Sequence, residues 1–225
     1  MRPGSNPLPA EGVVKPAPPP NPPALYDVCH VAGGMTADYW ERDPKRLAFV
    51  LARYKFVARM LEGKARVLEV GCADGIGSRI VRQHVGWLTA IDIDRRSIDE
   101  AKAGNGVRWA VDFNVDDILR APLPGYDAVY ALDVLEHIAP EQEWQFLHHL
   151  RVSAPVAVIG MPSLESQRYA SDLSRAGHVN CHSGPDLKEA LQRHWRHVFL
   201  FSMNDELVHT GFQPMAHYLL ALAVE

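Results

Sequence analysis

The residues able to do chemistry fall in three places along the 225-residue chain. The first is Val67-Leu-Glu-Val-Gly-Cys-Ala-Asp-Gly75, where Glu69 precedes Gly71 by two positions and Gly75 follows it by four. Gly71 lets the chain turn sharply at a point where a side chain would collide with a ligand. Gly75 lets the next helix pack close to its strand, and the free N–H groups at that helix's start can face a ligand. A dinucleotide loop would read G-x-G-x-x-G, and this one does not. An amino-acid ammonium suits it better than a pyrophosphate, with Glu69 as acceptor directly or through water and Cys72 and Ala73 in the turn. Taken alone, an ordinary tight turn explains the glycine pair equally well.

The second place is a series of carboxylates. Ala90-Ile-Asp-Ile-Asp94 puts Asp92 at the end of an apolar run, with Ile93 beside it. A carboxylate there can accept both hydroxyls of a ribose, whereas Asp94 reads as a helix N-cap. Of Asp116 and Asp117, one is placed to accept from an adenine amino group and the other to cap a loop. The third place is a set of histidines: His137, His178 and His209. An imidazole with an ordinary pKa takes a proton near neutrality and can serve as a general base. His137 could equally line a ligand pocket or cap a helix, and His209 could belong to a plain turn. Tyr169, Asn180, His182 and Glu206 stand near these histidines in sequence as groups to hold a second ligand. His217, inside an apolar run, reads as a core histidine. His178, His182, His209 and Glu206 match no compact metal spacing, so no metal is expected.

Elements must bring these places together. Asp43–Leu61 has apolar residues at three- and four-residue spacing, with Pro44 in the first turn and Gly63 as a stop. Strands are expected over 66–70, 87–91, 107–111, 128–131 and 156–160, and helices over 76–84, 95–102 and 140–152. That alternation predicts an α/β fold, a doubly wound and mostly parallel sheet with helices on both faces. After residue 160 come a polar stretch over 163–183, a helix over 185–194 and two strand-like runs, 197–203 and 214–223. The two runs predict a C-terminal antiparallel hairpin at the sheet edge.

The run 67–75, with Asp92, Asp117, Tyr126-Asp-Ala-Val129 and Leu132-Asp-Val-Leu-Glu-His-Ile138, resembles the class I S-adenosylmethionine (SAM)-dependent methyltransferases over about residues 66–160. The L-E-H-I segment resembles their small-molecule branch. The resemblance implies seven strands with the last antiparallel, SAM as cofactor and S-adenosylhomocysteine (SAH) as product. It also implies cofactor contacts from Leu132, Asp133 and His137, and an N-terminal helical lid (26–63) ahead of the cofactor core (64–160) and the acceptor side (161–225). In such a lid Arg46, Arg53 or Lys55 could pair with the methionine carboxylate. Ala73 departs from the family, where many members have glycine; one methyl is tolerable unless the loop needs a positive φ.

A formal net charge of −4 and scattered Lys and Arg give no basic footprint for nucleic acid and no polybasic block for an anionic membrane. Three widely spaced cysteines form neither a metal motif nor a disulfide framework, which points to the cytoplasm. Residues 1–25 hold nine prolines and no signal-peptide apolar run. They read as a tail or an arm that could contribute to a homodimer. The acceptor implied is a small molecule or a sugar with a free hydroxyl. N- or C-methylation, a non-catalytic SAM-binding partner of another transferase and an NAD-dependent oxidoreductase stay as alternatives.

Overall fold

The computed structural model describes residues 32–225; the Pro-rich segment 1–25 and the first residues of the expected lid lie outside the described residues. The described chain opens with helix α1 (Gly34–Arg42) and helix α2 (Pro44–Met60). The alternating core follows as β1 (Arg66–Val70), α3 (Ser78–Arg82), β2 (Trp87–Asp92), α4 (Arg95–Ala103), β3 (Asp112–Val115), β4 (Ala128–Leu132), α5 (Glu143–Ser153) and β5 (Val156–Pro162). The last part is α6 (Asp172–Gly177), α7 (Gly184–Gln192), β6 (His197–Asn204), β7 (Leu207–His209) and β8 (Tyr218–Val224).

The strands join one sheet in the order β3-β2-β1-β4-β5-β8-β6-β7. β1 to β5 are parallel, and β8 inserts antiparallel between β5 and β6. The α/β, doubly wound arrangement expected from the sequence is present, with eight strands among the described residues rather than seven. The added strand is β7, a short partner hydrogen-bonded antiparallel to the end of β6. The expected C-terminal pair is antiparallel, but only β6 lies toward the edge, because β8 turns back into the sheet and buries Tyr218 to Ala221.

Alternation along the strands divides the core into two layers. Val67, Ala128, Tyr130 and Val158 face α2, α3 and α4, packing against Val57, Leu61, Val81 and Ile98. Leu68, Val129, Ala157 and Ile159 face α5 and α7, packing against Phe146, Leu150, Leu187 and Leu191. Glu69 falls on the first of these faces, in register with Tyr130.

Three local readings are corrected. The third strand is 112–115, not 107–111: the Asn105 side chain takes both the N–H and the C=O of Val111, and Val107 is fully exposed. The helix after the glycine loop starts only at Ser78, since residues 73–77 stay in a turn closed by Gly75 N–H to Cys72 C=O at 2.9 Å. His217 is exposed just ahead of β8 rather than in the core. Helix α1 falls within the stretch expected as a helical lid, although the sequence delimits no separate helix there; its start is fixed by two carboxylates, Asp74 accepting from Thr36 N–H and Glu100 from Gly34 N–H, both at 2.7 Å.

Candidate active site

Two adjoining cavities open at the C-terminal ends of β1, β2 and β4, where strand order reverses, the place at which open α/β sheets bind ligands. The first, about 410 Å³, is rimmed by Asp92, Ile93, Asp116 and Asp117. The second, about 240 Å³, is roofed by α1 and α2 through Tyr39, Arg46 and Arg53, and reaches Leu132, Glu136 and His178. Gly71, Ala73, Asp133 and His137 line both.

The loop between β1 and α3 shapes this shared floor. Gly71 has φ +81°, and a Cβ there would come within 2.3 Å of Val134 Cγ2. Gly75 has φ +74°, and a Cβ would meet the Phe113 ring at 2.6 Å. Ala73 also lies in the left-handed region, at φ 47°, so the loop does need a positive φ at this position. Its N–H donates to Asp92 Oδ2 at 2.9 Å, while Asp94 N–H donates to Asp92 Oδ1 at 2.9 Å. The Asp92 carboxylate is thereby held at the cavity rim with lone pairs to spare. Asp94 caps α4, accepting from the N–H groups of Arg96 and Ser97. Asp116 accepts from Asp117 N–H at 2.8 Å and Asp117 from Leu119 N–H at 2.9 Å, which sets both on the rim.

Glu69 and Cys72 line neither cavity. Glu69 is 1% exposed and sits beneath the floor among Tyr54, Tyr130 and Ser78. Their hydroxyls crowd the carboxylate, yet neither oxygen has a partner at hydrogen-bond geometry among the described residues. Burial pushes its pKa from 4.5 to about 7, an effect that those hydroxyls partly offset. Burial likewise pushes the Cys72 thiol far above its ordinary value.

The second cavity is polar. Arg53 Nη1 donates to both oxygens of Asp133 at 2.8 and 2.7 Å, and its guanidinium stacks 3.8 Å from the Tyr218 ring centroid. Tyr218 Oη accepts from Asp133 N–H at 3.2 Å. Behind this group Glu136 is 1% exposed; burial first, and then the Asp133 charge, push its carboxyl well up. The His137 and His178 rings meet edge to face at 5.2 Å. His137 Nδ1 lies 2.8 Å from Gly177 C=O, and His178 Nδ1 lies 2.8 Å from Gln167 Oε1. Burial and the neighbouring His137 hold His178 below its ordinary pKa.

These two histidines are forty-one positions apart, and a staple brings them together. Val179 N–H and Asn180 N–H both donate to Glu136 C=O, at 2.8 and 3.1 Å. The Asn180 side chain and His182 then converge on Glu143 Oε2 of α5, at 2.7 and 2.6 Å. Burial alone would push Glu143 up, but these bonds hold its carboxyl below the ordinary range.

Asn180 and His182 therefore point to α5 and not into the cavities. His209 is tied by Nε2 to Asn204 Oδ1 and by Nδ1 to Gly211 N–H, at 2.8 and 2.9 Å, at the end of β7. Glu206 sits in a shallow recess with Lys55 and Arg59. Tyr169 is 75% exposed beside Met215 and His217. The structure thus brings His137 and His178 together and leaves His209, Glu206, Tyr169, Asn180 and His182 outside the two cavities. A larger recess of about 520 Å³ between α7 and β6 offers Lys188 as its one titratable side chain, so the chemistry points to the smaller pair. Sequence reasoning passed over Glu136, for which adjacency to His137 was the only signal.

Residues 67–154 match a family model described as a methyltransferase domain. An uncharacterized methyltransferase of Mycobacterium tuberculosis is 36% identical over 81 residues, covering 34% of this chain and 39% of that protein. A ubiquinone biosynthesis O-methyltransferase of Xanthomonas euvesicatoria is 33% identical over 110 residues, covering 44% of this chain and 45% of the relative. The match spans less than half the length of these curated relatives. Among solved structures, magnesium protoporphyrin IX methyltransferase from Synechocystis with bound SAH superimposes with a TM-score of 0.60 at 18% identity, covering 85% of this chain and 95% of that one. Residues 67–154 thus match a methyltransferase-domain model, and the chain has the fold of the class I methyltransferases.

Proposed function

We propose that the chain transfers the methyl group of SAM to an oxygen of a small acceptor, a hydroxyl on a sugar or a secondary metabolite. The observation that carries this reading is the pair of cavities with a common floor. The adenosine half of SAM suits the first cavity: Asp92 accepts the ribose hydroxyls, and Asp116 or Asp117 accepts from the adenine amino group. The methionine end turns over Gly71 and Ala73, above Glu69, with the sulfonium at the opening between the cavities. The second cavity then holds the acceptor, and its small volume fits a small molecule or one sugar ring.

Methyl transfer is an in-line displacement in which alignment supplies most of what the protein contributes. The acceptor oxygen forms a bond to the methyl carbon, the C–S bond breaks, and its electron pair stays on sulfur to give SAH. The hydroxyl proton must leave. With each Nδ1–H donating outward, His137 and His178 keep Nε2 lone pairs for it. The ubiquinone-related relative, named as an O-methyltransferase, supports oxygen as the acceptor atom.

Incubation with methyl-labelled SAM and a panel of sugars, phenols and amines tests the reading. Label on hydroxylated acceptors is expected, and His178→Asn should cut turnover about 10²-fold or more while SAH affinity is kept. Label on amines alone would overturn the oxygen assignment. Full turnover in both His137→Asn and His178→Asn would overturn the role of the histidines.

A further inference from the structure

We propose that Glu136, His137 and His178 form a binding site for one divalent first-row transition cation at the wall of the second cavity. One carboxylate oxygen of Glu136 and one nitrogen from each histidine lie within 4.8 Å of one another. Three ligand atoms bonded at about 2.1 Å to one ion lie roughly 3.0–3.6 Å from one another. Rotamer shifts on the order of an ångström therefore close the set.

Three further features fit a ligand set better than a chance meeting. Glu136 is 1% exposed and its Oε2 has no hydrogen-bond partner among the described residues, a costly state for a buried oxygen unless a cation completes it. Each histidine uses Nδ1 on an outward acceptor, Gly177 C=O or Gln167 Oε1, at 2.8 Å. Ligating imidazoles are held in this way by an outer partner that fixes the tautomer and leaves Nε2 for the metal. Finally, the staple from Val179 and Asn180 to Glu136 C=O fixes the ligand-bearing segments against each other.

Two imidazoles and one carboxylate suit zinc or manganese, and three protein ligands leave coordination open toward the cavity. The inference rests on the reading of that cavity as the acceptor site. There, a hydroxyl bound at the open position becomes more acidic and gives its proton to solvent. The oxygen then attacks the methyl carbon as the C–S bond breaks. Both Nε2 lone pairs are occupied in this arrangement, so the cation replaces the histidines in the proton step proposed above, while the acceptor and the methyl transfer stay the same.

The test is calorimetric titration of chelator-stripped full-length protein with Zn²⁺ and with Mn²⁺, alongside SAH titration as a check on folding. One site is expected. Affinity should fall by about 10²-fold in His137→Ala, His178→Ala and Glu136→Gln, and by about tenfold in Gln167→Ala, which removes the outer partner together with one bond to Ser163 C=O. His197→Ala, an exposed position on β6, should bind as the parent does. The proposal is overturned if the parent binds neither ion at millimolar concentration, or if the His137/His178 double variant binds as tightly as the parent. Full methyl transfer by stripped protein would also overturn it while leaving the histidines as direct bases. Tight ion binding with no acceptor methylated would uphold the site and sink the proposed reaction.

Discussion

Ala73 occupies a left-handed backbone position, φ 47°, between two glycines that do the same. Its methyl costs about 1 kcal/mol there, against which glycine would lose some entropy on folding. Ala73→Gly should therefore raise stability by up to about 0.5 kcal/mol and leave SAH affinity within a factor of about two. A melting curve and one titration check both. Glu69, a layer below, makes a sharper prediction. Its pKa rises from 4.5 to about 7 on folding, faced by Tyr54 of α2, Tyr130 of β4, Ser78 of α3, Cys72 of the loop and Asp92 of β2. Between those pH values the folded chain holds a proton that the unfolded chain releases. Stability should thus fall as pH rises from about 4.5 to about 7 and level off above, by on the order of 3 kcal/mol from this group. Glu69→Gln should flatten that fall in urea titrations. An ammonium bound overhead favours the ionised carboxylate, so the same substitution should weaken SAH binding most at pH 8. An equal effect at pH 5 would separate Glu69 from the ammonium.

At the scale of elements, the segment between β5 and α7 has to deliver His178 to His137, and Glu143 of α5 anchors it. His182→Ala removes one of two bonds into a partly buried carboxylate and should cost about 1–2 kcal/mol of stability. It should also lower kcat/KM for the acceptor about tenfold with SAH affinity unchanged, because only the acceptor-side loop loosens. Equal losses in both constants would mean general unfolding and not lost positioning. None of this staple was legible in the sequence. Asn180 and His182 looked like ligand-holding groups because their types suit that task, and only the fold shows Glu143 already satisfying them. The parallel strands and α2 were legible, since their apolar patterns follow burial directly. The third strand was misplaced because Val107 and Val111 are apolar in type, while Asn105 decides the hydrogen bonding. Helix α1 is short, has no side-chain N-cap hydrogen bond, and is held by Asp74 and Glu100, carboxylates distant in sequence.

Across the whole molecule, the groove proposed for the cofactor lies where the β3-β2-β1 half of the sheet meets the β4-β5 half, under a roof that α1 and α2 supply to the adjoining cavity. A ligand in it touches the ends of β1, β2 and β4 at once and must be released for either half to unfold. Binding to the folded state alone stabilises by about 2.7 kcal/mol at a ligand concentration 100-fold above Kd. For a domain of this size that corresponds to a melting shift of roughly 5–10 °C. SAH should produce that shift and NAD should not, because the loop lacks the glycines that let a pyrophosphate approach. Asp92→Asn should reduce the shift by removing a ribose acceptor, while His178→Asn should keep it, since that residue lines the second cavity alone. A shift with NAD matching that with SAH would contradict the cofactor reading. A shift lost equally in both variants would mean that the two cavities bind one ligand as a unit, and the division between cofactor and acceptor would fail.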